Sequence, residues 1–285
     1  MTDALDSLLT VLDLEQIELD IFRGTSPDEK LQRVFGGQVA GQALVAAGRT
    51  VASDRHVHSL HAYFLRPGDP AIPIVYQVDR MRDGRSFTTR RVVAIQHGKP
   101  IFNLSASFQV AQPGVEHQID MPTDVPRPET LPTFHDRFAP YQDELGAWYT
   151  RPRPVDVRYV GHPPRAALGQ GPQEPSSQVW LRADGQLPDD PLLHVCIATY
   201  ASDMVLLDSV LLPHGLAWQS GNVVGASLDH AMWFHRPFRA DDWLLYDQWS
   251  PSASGSRGLA AGRLWRSDGA LAVSVVQEGL IRVVR

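Results

Sequence analysis

Cysteine occurs once in the 285 residues, at position 196, so the chain forms no internal disulfide and no thiolate metal cage. Long apolar runs are missing as well, and none approaches the ~20 residues that span a bilayer. The opening stretch, MTDALDSLLTVLDLEQ, is acidic and lacks the basic region and cleavage site of a signal peptide. A net charge of -6 leaves no basic footprint for nucleic acid or an anionic membrane surface. There is no G-x-G-x-x-G, no Walker A run and no G-x-S-x-G elbow, which argues against dinucleotide, P-loop and α/β-hydrolase chemistry. The C-terminal Arg-Val-Val-Arg is not a peroxisomal Ser-Lys-Leu signal. What is present, 43% hydrophobic and 20% charged residues, is the composition of a soluble globular protein. A reducing, cytoplasmic setting is the expectation.

The order of patterns is informative. Residues 4–13 predict a short amphipathic helix with Leu5, Leu8, Leu9 and Leu12 inward, and 16–23 alternate as one strand with a single lapse. VFGGQVAGQALVAAGRTV (34–51) predicts a small-residue helix whose glycines and alanines pack closely against a sheet. Strands are expected at 58–66, 74–81, 85–96 and 101–108, with turns at Asp83-Gly84 and His97-Gly98. Eleven of the 22 prolines then fall between Pro122 and Pro175, which predicts a surface linker over 111–150 with a short helix near 140–149. Afterwards the order repeats: strands at 155–160 and 178–182, a helix, then strands at 226–234, 243–250, 256–266 and 270–277. HAYFLRP (61–67) and HAMWFHRP (230–237) open equivalent runs, Asp83-Gly84-Arg85-Ser86 matches Ser254-Gly255-Ser256-Arg257, and Gly98 matches Gly269. Several matches in one order indicate an internal duplication. The fold class expected is α+β: a double hot-dog, two tandem repeats each with an antiparallel sheet wrapped around a long central helix. The boundaries read as 1–110, 111–150 and 151–285.

The second helix carries an anomaly. Asp190-Pro191 is an N-cap followed by proline at the first helical position. The apolar run after it reads as one helix with Asp203 deep inside. An ionised carboxylate there needs donors or a task. The plain alternative is that it surfaces on the one wet edge of the helix. The sister helix has no acidic residue at all. Ser227 opens the strand that follows, and Gln277 ends a later apolar strand. An Asp, a hydroxyl and an amide on three adjacent elements would hold one water for attack on an electrophilic carbonyl. Equally, Ser227 would simply begin a strand and Gln277 face solvent.

Other polar clusters read more weakly. His58 lies near His56 and His61, but a strand puts His56 and His58 on one face and His61 on the other, which is poor metal geometry. No metal and no cofactor is expected. Asp229 and His230 adjoin Ser227, yet consecutive strand residues point to opposite faces and form no relay among themselves. Cys196 reads as buried filler.

The segments YASDMVLL (200–207), ASLDHAMWFHRPFRADDWLLY (226–246) and SASGSRGLAAGRLWRSDGALAVSVVQEGLIR (252–282) closely resemble the acyl-CoA thioesterase II family. FGGQVAGQAL (35–44), VHSLHAYFLRPGD (57–69) and DGRSFTTRRV (83–92) agree with it in the first half. The resemblance spans nearly the whole chain apart from the linker. It implies a double hot-dog that hydrolyses fatty acyl-CoA, palmitoyl-CoA among them, to free acid and CoA without metal or cofactor. It places the water-holding trio on Asp203, Ser227 and Gln277, with Ser where the family often has Thr. For substrate binding we expect backbone N–H groups of Gly36 and Gly37 to receive the developing oxyanion. His58, Arg85 and Arg257 are the further candidates, the arginines for CoA phosphates. The family also implies a homo-oligomer, dimer or tetramer. An acyl-CoA hydratase or dehydratase of the same fold and a non-catalytic acyl-CoA binder are the alternatives.

Overall fold

The strand-rich halves of the sequence become one continuous sheet. The computed structural model describes residues 2–27 and 32–284, Gln219 by its backbone alone. In the first half the strands are β1 (Glu15–Glu18), β2 (Ile21–Gly24), β3 (Arg55–Phe64), β4 (Ile74–Asp83), β5 (Phe87–Gln96) and β6 (Lys99–Val110). In the second they are β7 (Val155–Tyr159), β8 (Ser176–Ala183), β9 (Val223–Ser227), β10 (Asp229–Phe234), β11 (Leu244–Ser254), β12 (Arg257–Arg266) and β13 (Leu271–Val283). Their order is β1-β2-β4-β5-β6-β3-β10-β13-β12-β11-β8-β7, with β9 paired on β13. Each half thus repeats the same strand order, and the halves meet where β3 pairs β10. There His61 faces Ala231 and Ala62 faces His230. A pseudo-twofold axis therefore passes between the two copies of the His-Ala dipeptide, which the sequence presents twice. Joining the halves here removes two exposed edges.

Three helices frame the interior: α1 (Asp3–Leu12), α2 (Gly36–Gly48) and α3 (Pro191–Ser202). Gly37 to Ala47 of α2 are buried without interruption. Gln42 is tolerated there because its amide donates to the carbonyls of Val11 (2.7 Å) and Thr25 (2.9 Å), while its Oε1 accepts the Tyr76 hydroxyl at 2.6 Å. The glycines serve a different purpose from the one expected. They face α3 rather than the sheet. A Cβ on Gly37 would collide with the carbonyl oxygen of Tyr200, one on Gly41 would come to 3.3 Å from that of Cys196, and one on Gly48 would strike Leu192. Ascending α2 thus meets α3 in descending order. The helices run antiparallel in close contact, with the N-terminus of α2 beside the C-terminus of α3.

Other departures have local causes. The strand expected over 16–23 folds back on itself at Leu19-Asp20, where Asp20 takes φ +59, and becomes the β1–β2 hairpin. Ile17 and Leu19 are consequently exposed. The strand expected over 226–234 is interrupted at Leu228, so Ser227 closes β9 instead of opening a strand. The proline-rich stretch does not merely lie over the surface. Phe134, Phe138 and Leu145 are buried in the main core, and short helical turns at Phe134–Phe138, Gln142–Leu145 and Ala147–Thr150 carry an aromatic cluster inward.

Candidate active site

Asp203 does not lie deep in its helix. It is the C-cap of α3, with φ -82 and ψ -6. The helix stops there because its end is tied to the sheet. The Tyr246 hydroxyl of β11 donates to the Ser202 carbonyl at 3.2 Å, and the Ser202 hydroxyl lies 2.9 Å from His230 Nε2 of β10. Burial holds His230 well below the usual histidine range, at about 4, so it is a neutral partner. Met204 to Leu207 stay apolar, and Val205 to Leu207 stay buried, but in consecutive turns rather than helix.

The three residues singled out in the sequence come together. Gln277 Nε2 donates to Asp203 Oδ1 at 2.5 Å, and Ser227 Oγ donates to the same oxygen at 3.2 Å. Gln277 neither ends its strand nor faces solvent. It sits midway along β13, fully buried, behind the carboxylate. The strand continues because β9 pairs with Gly279–Val283. Gly36 and Gly37 are also here, since the antiparallel helices bring the α2 N-terminus to the α3 C-terminus. The Gly37 N–H is directed at the Asp203 carboxylate and stabilises its charge. Of the two amides expected to face an oxyanion, this one is therefore engaged by Asp203.

These opposing influences set the acidity of Asp203. Burial raises its pKa to about 6, against the pull of Gln277, Ser227, the Gly37 amide and the Arg33 charge. The C-terminal end of the α3 dipole disfavours negative charge, whereas the α2 N-terminus favours it. A carboxylate with these properties is ionised at neutral pH yet basic enough to accept a proton.

Asp203 and Ser227 open onto a cavity of about 1000 Å³ between the halves. Val39, Phe64 and Phe102 line it from the first half, Met204, Val205 and Leu207 from the second, Leu8 and Val11 from α1, and Phe134 and Trp148 from the linker. Asp208 lines it too and escaped the sequence reading. Its Oδ1 accepts Trp218 Nε1 at 2.8 Å and its Oδ2 accepts the Tyr159 hydroxyl at 3.3 Å. Burial raises its pKa to about 7. The linker aromatics escaped as well, although Phe134, Phe138 and Trp148 amid the prolines were a signal of inward-facing chain.

The remaining candidates lie elsewhere. His58 is 2.8 Å from Ser107 Oγ and edge-on to Phe87, at a bulge in the β3–β6 pairing, and does not line the cavity. Arg85 lies in the β4–β5 turn, and Arg257 begins β12 across from Leu280, its Nε donating to the Glu278 carboxylate at 3.0 Å. Neither lines the cavity. The cavity's arginines are Arg33, Arg66, Arg151 and Arg153. Among the described residues no cluster of three metal-ligating side chains occurs, and no helix is long and apolar enough to cross a membrane.

The fold is a double hot-dog, and its class is that of the hot-dog thioester hydrolases. The profile of the acyl-CoA thioesterase family matches residues 158–280, and that of the acyl-CoA thioesterase N-terminal domain matches residues 25–109. The chain is 48% identical over 289 residues to acyl-coenzyme A thioesterase 8 of Homo sapiens, covering 96% of this chain and 88% of that protein. It is 40% identical to acyl-CoA thioesterase 2 of Haemophilus influenzae, covering 99% of both. The crystal structure of acyl-CoA thioesterase II TesB2 from Mycobacterium marinum superposes with a TM-score of 0.80 at 48% identity, covering 97% of this chain and 98% of that one. The chain belongs to the acyl-CoA thioesterase family. It is a thioester hydrolase acting on acyl-CoA.

Proposed function

We propose that the chain hydrolyses fatty acyl-CoA by direct attack of a water that Asp203 deprotonates, with Ser227 and Gln277 holding its carboxylate in place. One observation carries this reading: two donors from two strands converge on a single oxygen of a carboxylate that borders an apolar cavity. With Oδ1 anchored by Gln277 and Ser227, Oδ2 is the oxygen that takes the proton. The Ser227 hydroxyl, which borders the cavity, helps fix the direction of attack. The water adds to the thioester carbonyl as its proton passes to Asp203. The tetrahedral intermediate then collapses, the C–S bond breaks, and the proton returns to the departing thiolate, giving free acid and CoA.

The oxyanion would be received by the Gly36 amide at the first turn of α2, where helical N–H groups have no carbonyl partner and the dipole favours negative charge. Residues 151–285 would then supply the base and residues 1–110 the oxyanion donor. The cavity's aliphatic and aromatic lining suits a long acyl chain such as palmitoyl.

The decisive comparison is Asp203→Asn against wild type on palmitoyl-CoA, followed by release of free thiol. Loss of a general base predicts a fall of ~10²-fold or more in kcat. Hydrolysis at the wild-type rate would sink the mechanism. The saturated substrate also separates this reading from a hydratase, which has no double bond to act on.

A further inference from the structure

Arg153 is a half-buried cation that the hydrolytic reading leaves without a role. It joins the linker's aromatic cluster to β7 and lines the same cavity as Asp203. Its guanidinium lies over the Phe134 ring, 3.6 Å from the centroid, and over the Trp148 ring at 4.6 Å. Among the described residues its guanidinium makes one hydrogen bond, from Nη2 to the Trp148 carbonyl at 2.9 Å. Its Nε is buried and has no partner among the described residues.

The contrast with Arg90 shows what is missing. Arg90 is 1% exposed, and its guanidinium donates to the Thr50 hydroxyl and carbonyl, to the Arg82 and Thr89 carbonyls and to the Asp83 carboxylate at 2.6 Å. That charge is matched. Arg153 pairs with no carboxylate among the described residues, and burial pulls its pKa down to about 10. A guanidinium has five N–H donors in its plane. Stacking engages its flat faces and leaves the in-plane donors for whatever enters the cavity. Holding a charge in that state is costly unless a counter-charge arrives.

We infer that Arg153 receives an anionic oxygen group of the substrate inside this cavity. The inference rests on the proposal that acyl-CoA is cleaved there. Two parts of such a substrate carry the required chemistry: a phosphate of the CoA moiety, or a carboxylate at the far end of the acyl chain.

The test compares wild type, Arg153→Met and Arg153→Lys on three thioesters: decanoyl-CoA, the mono-CoA ester of decanedioic acid, and decanoyl-pantetheine, which has no phosphate. If the group is a phosphate, Arg153→Met raises KM about tenfold or more for both CoA esters and leaves the pantetheine ester unchanged, the scale of one charged hydrogen-bond pair. If it is the remote carboxylate, only the decanedioyl ester suffers. Equal changes on all three esters, or none, overturn the inference while leaving the hydrolase reading intact. Thermal melting reports whether Arg153→Met folds. Should it not, Arg153→Lys, which keeps the charge but loses the fork, is read for the same contrast. If wild type cleaves none of the three, the hydrolase reading fails. Calorimetric titration of CoA and of decanedioate into wild type and variant then decides the role of Arg153, tenfold weaker binding of either supporting it and equal binding overturning it.

Discussion

Gly36 and Asp203 are so close that a Cβ built on the glycine would stand 2.7 Å from Asp203 Oδ2 and 2.8 Å from the Phe64 ring. One residue starts a helix in the first half and the other ends a helix in the second. Gly36→Ala must push the carboxylate off its donors or shift the start of α2. We expect kcat/KM to fall about tenfold or more, because small misplacements of a catalytic group are costly. Stability should drop by only about 1–3 kcal/mol, the usual range for overpacking. Kinetics beside thermal melting check this. A variant as active as wild type would show that the close approach has no bearing on catalysis.

The acidity of Asp203 sets a pH limb. A base must be ionised, so kcat/KM should fall as pH drops through about 6. Gln277→Met removes a donor that favours the charged form, so the limb should move to higher pH as the rate falls. An unmoved limb would assign the titration to another group.

Asp208 gives a stability signature of its own. Its folded pKa of about 7 lies above the ordinary carboxylate value, so the folded state binds the proton more tightly than the unfolded chain. Stability therefore declines as pH rises from the unfolded pKa through about 7. Asp208→Asn keeps an acceptor for Trp218 and removes the buried charge. Its Tm relative to wild type should improve at pH 8 and lose that advantage toward pH 4. The same difference at every pH would contradict the assignment.

The α2–α3 contact makes a graded prediction. Gly37→Ala drives a methyl into the backbone of Tyr200 and should cost about 1–3 kcal/mol, with loss of activity as the helix ends part. At Gly41 the nearest atom is 3.3 Å away, and alanine's helix propensity, worth about 0.5–1 kcal/mol over glycine, offsets the tightness. Gly41→Ala should be nearly neutral in urea unfolding. Equal effects at both positions would mean that the glycines are not there for close helix contact.

Much of this architecture was legible in the order of residues. Repeated His-Ala and Gly landmarks revealed the duplication, and Asp190-Pro191 marked the start of α3. Where reading failed, the cause was physical. The end of α3 was hidden because the chain stays apolar from Met204 and Val205–Leu207 remain buried in turns, so hydrophobicity gave no sign that the helix had stopped. The Gln277 strand was cut short because its outer half pairs with β9, a strand merged in the sequence with β10. Asp203, Ser227 and Gln277 could be named, although family likeness rather than spacing joined them. Asp208 and Arg153 could not, since a lone Asp in an apolar run and an Arg among prolines gain meaning only once Tyr159, Trp218, Phe134 and Trp148 surround them.

The antiparallel helix pair has a second meeting point, at the C-terminus of α2 and the N-terminus of α3. There Leu192 packs directly on Gly48, and the Asp190 side chain caps the Leu192 amide at 3.0 Å. The counterpart of the Asp203 junction is thus plugged by a leucine and its amide already satisfied. Of the two equivalent junctions, the one at Gly48 is filled while the one at Asp203 opens onto the cavity, and the chain should bind one acyl-CoA rather than two.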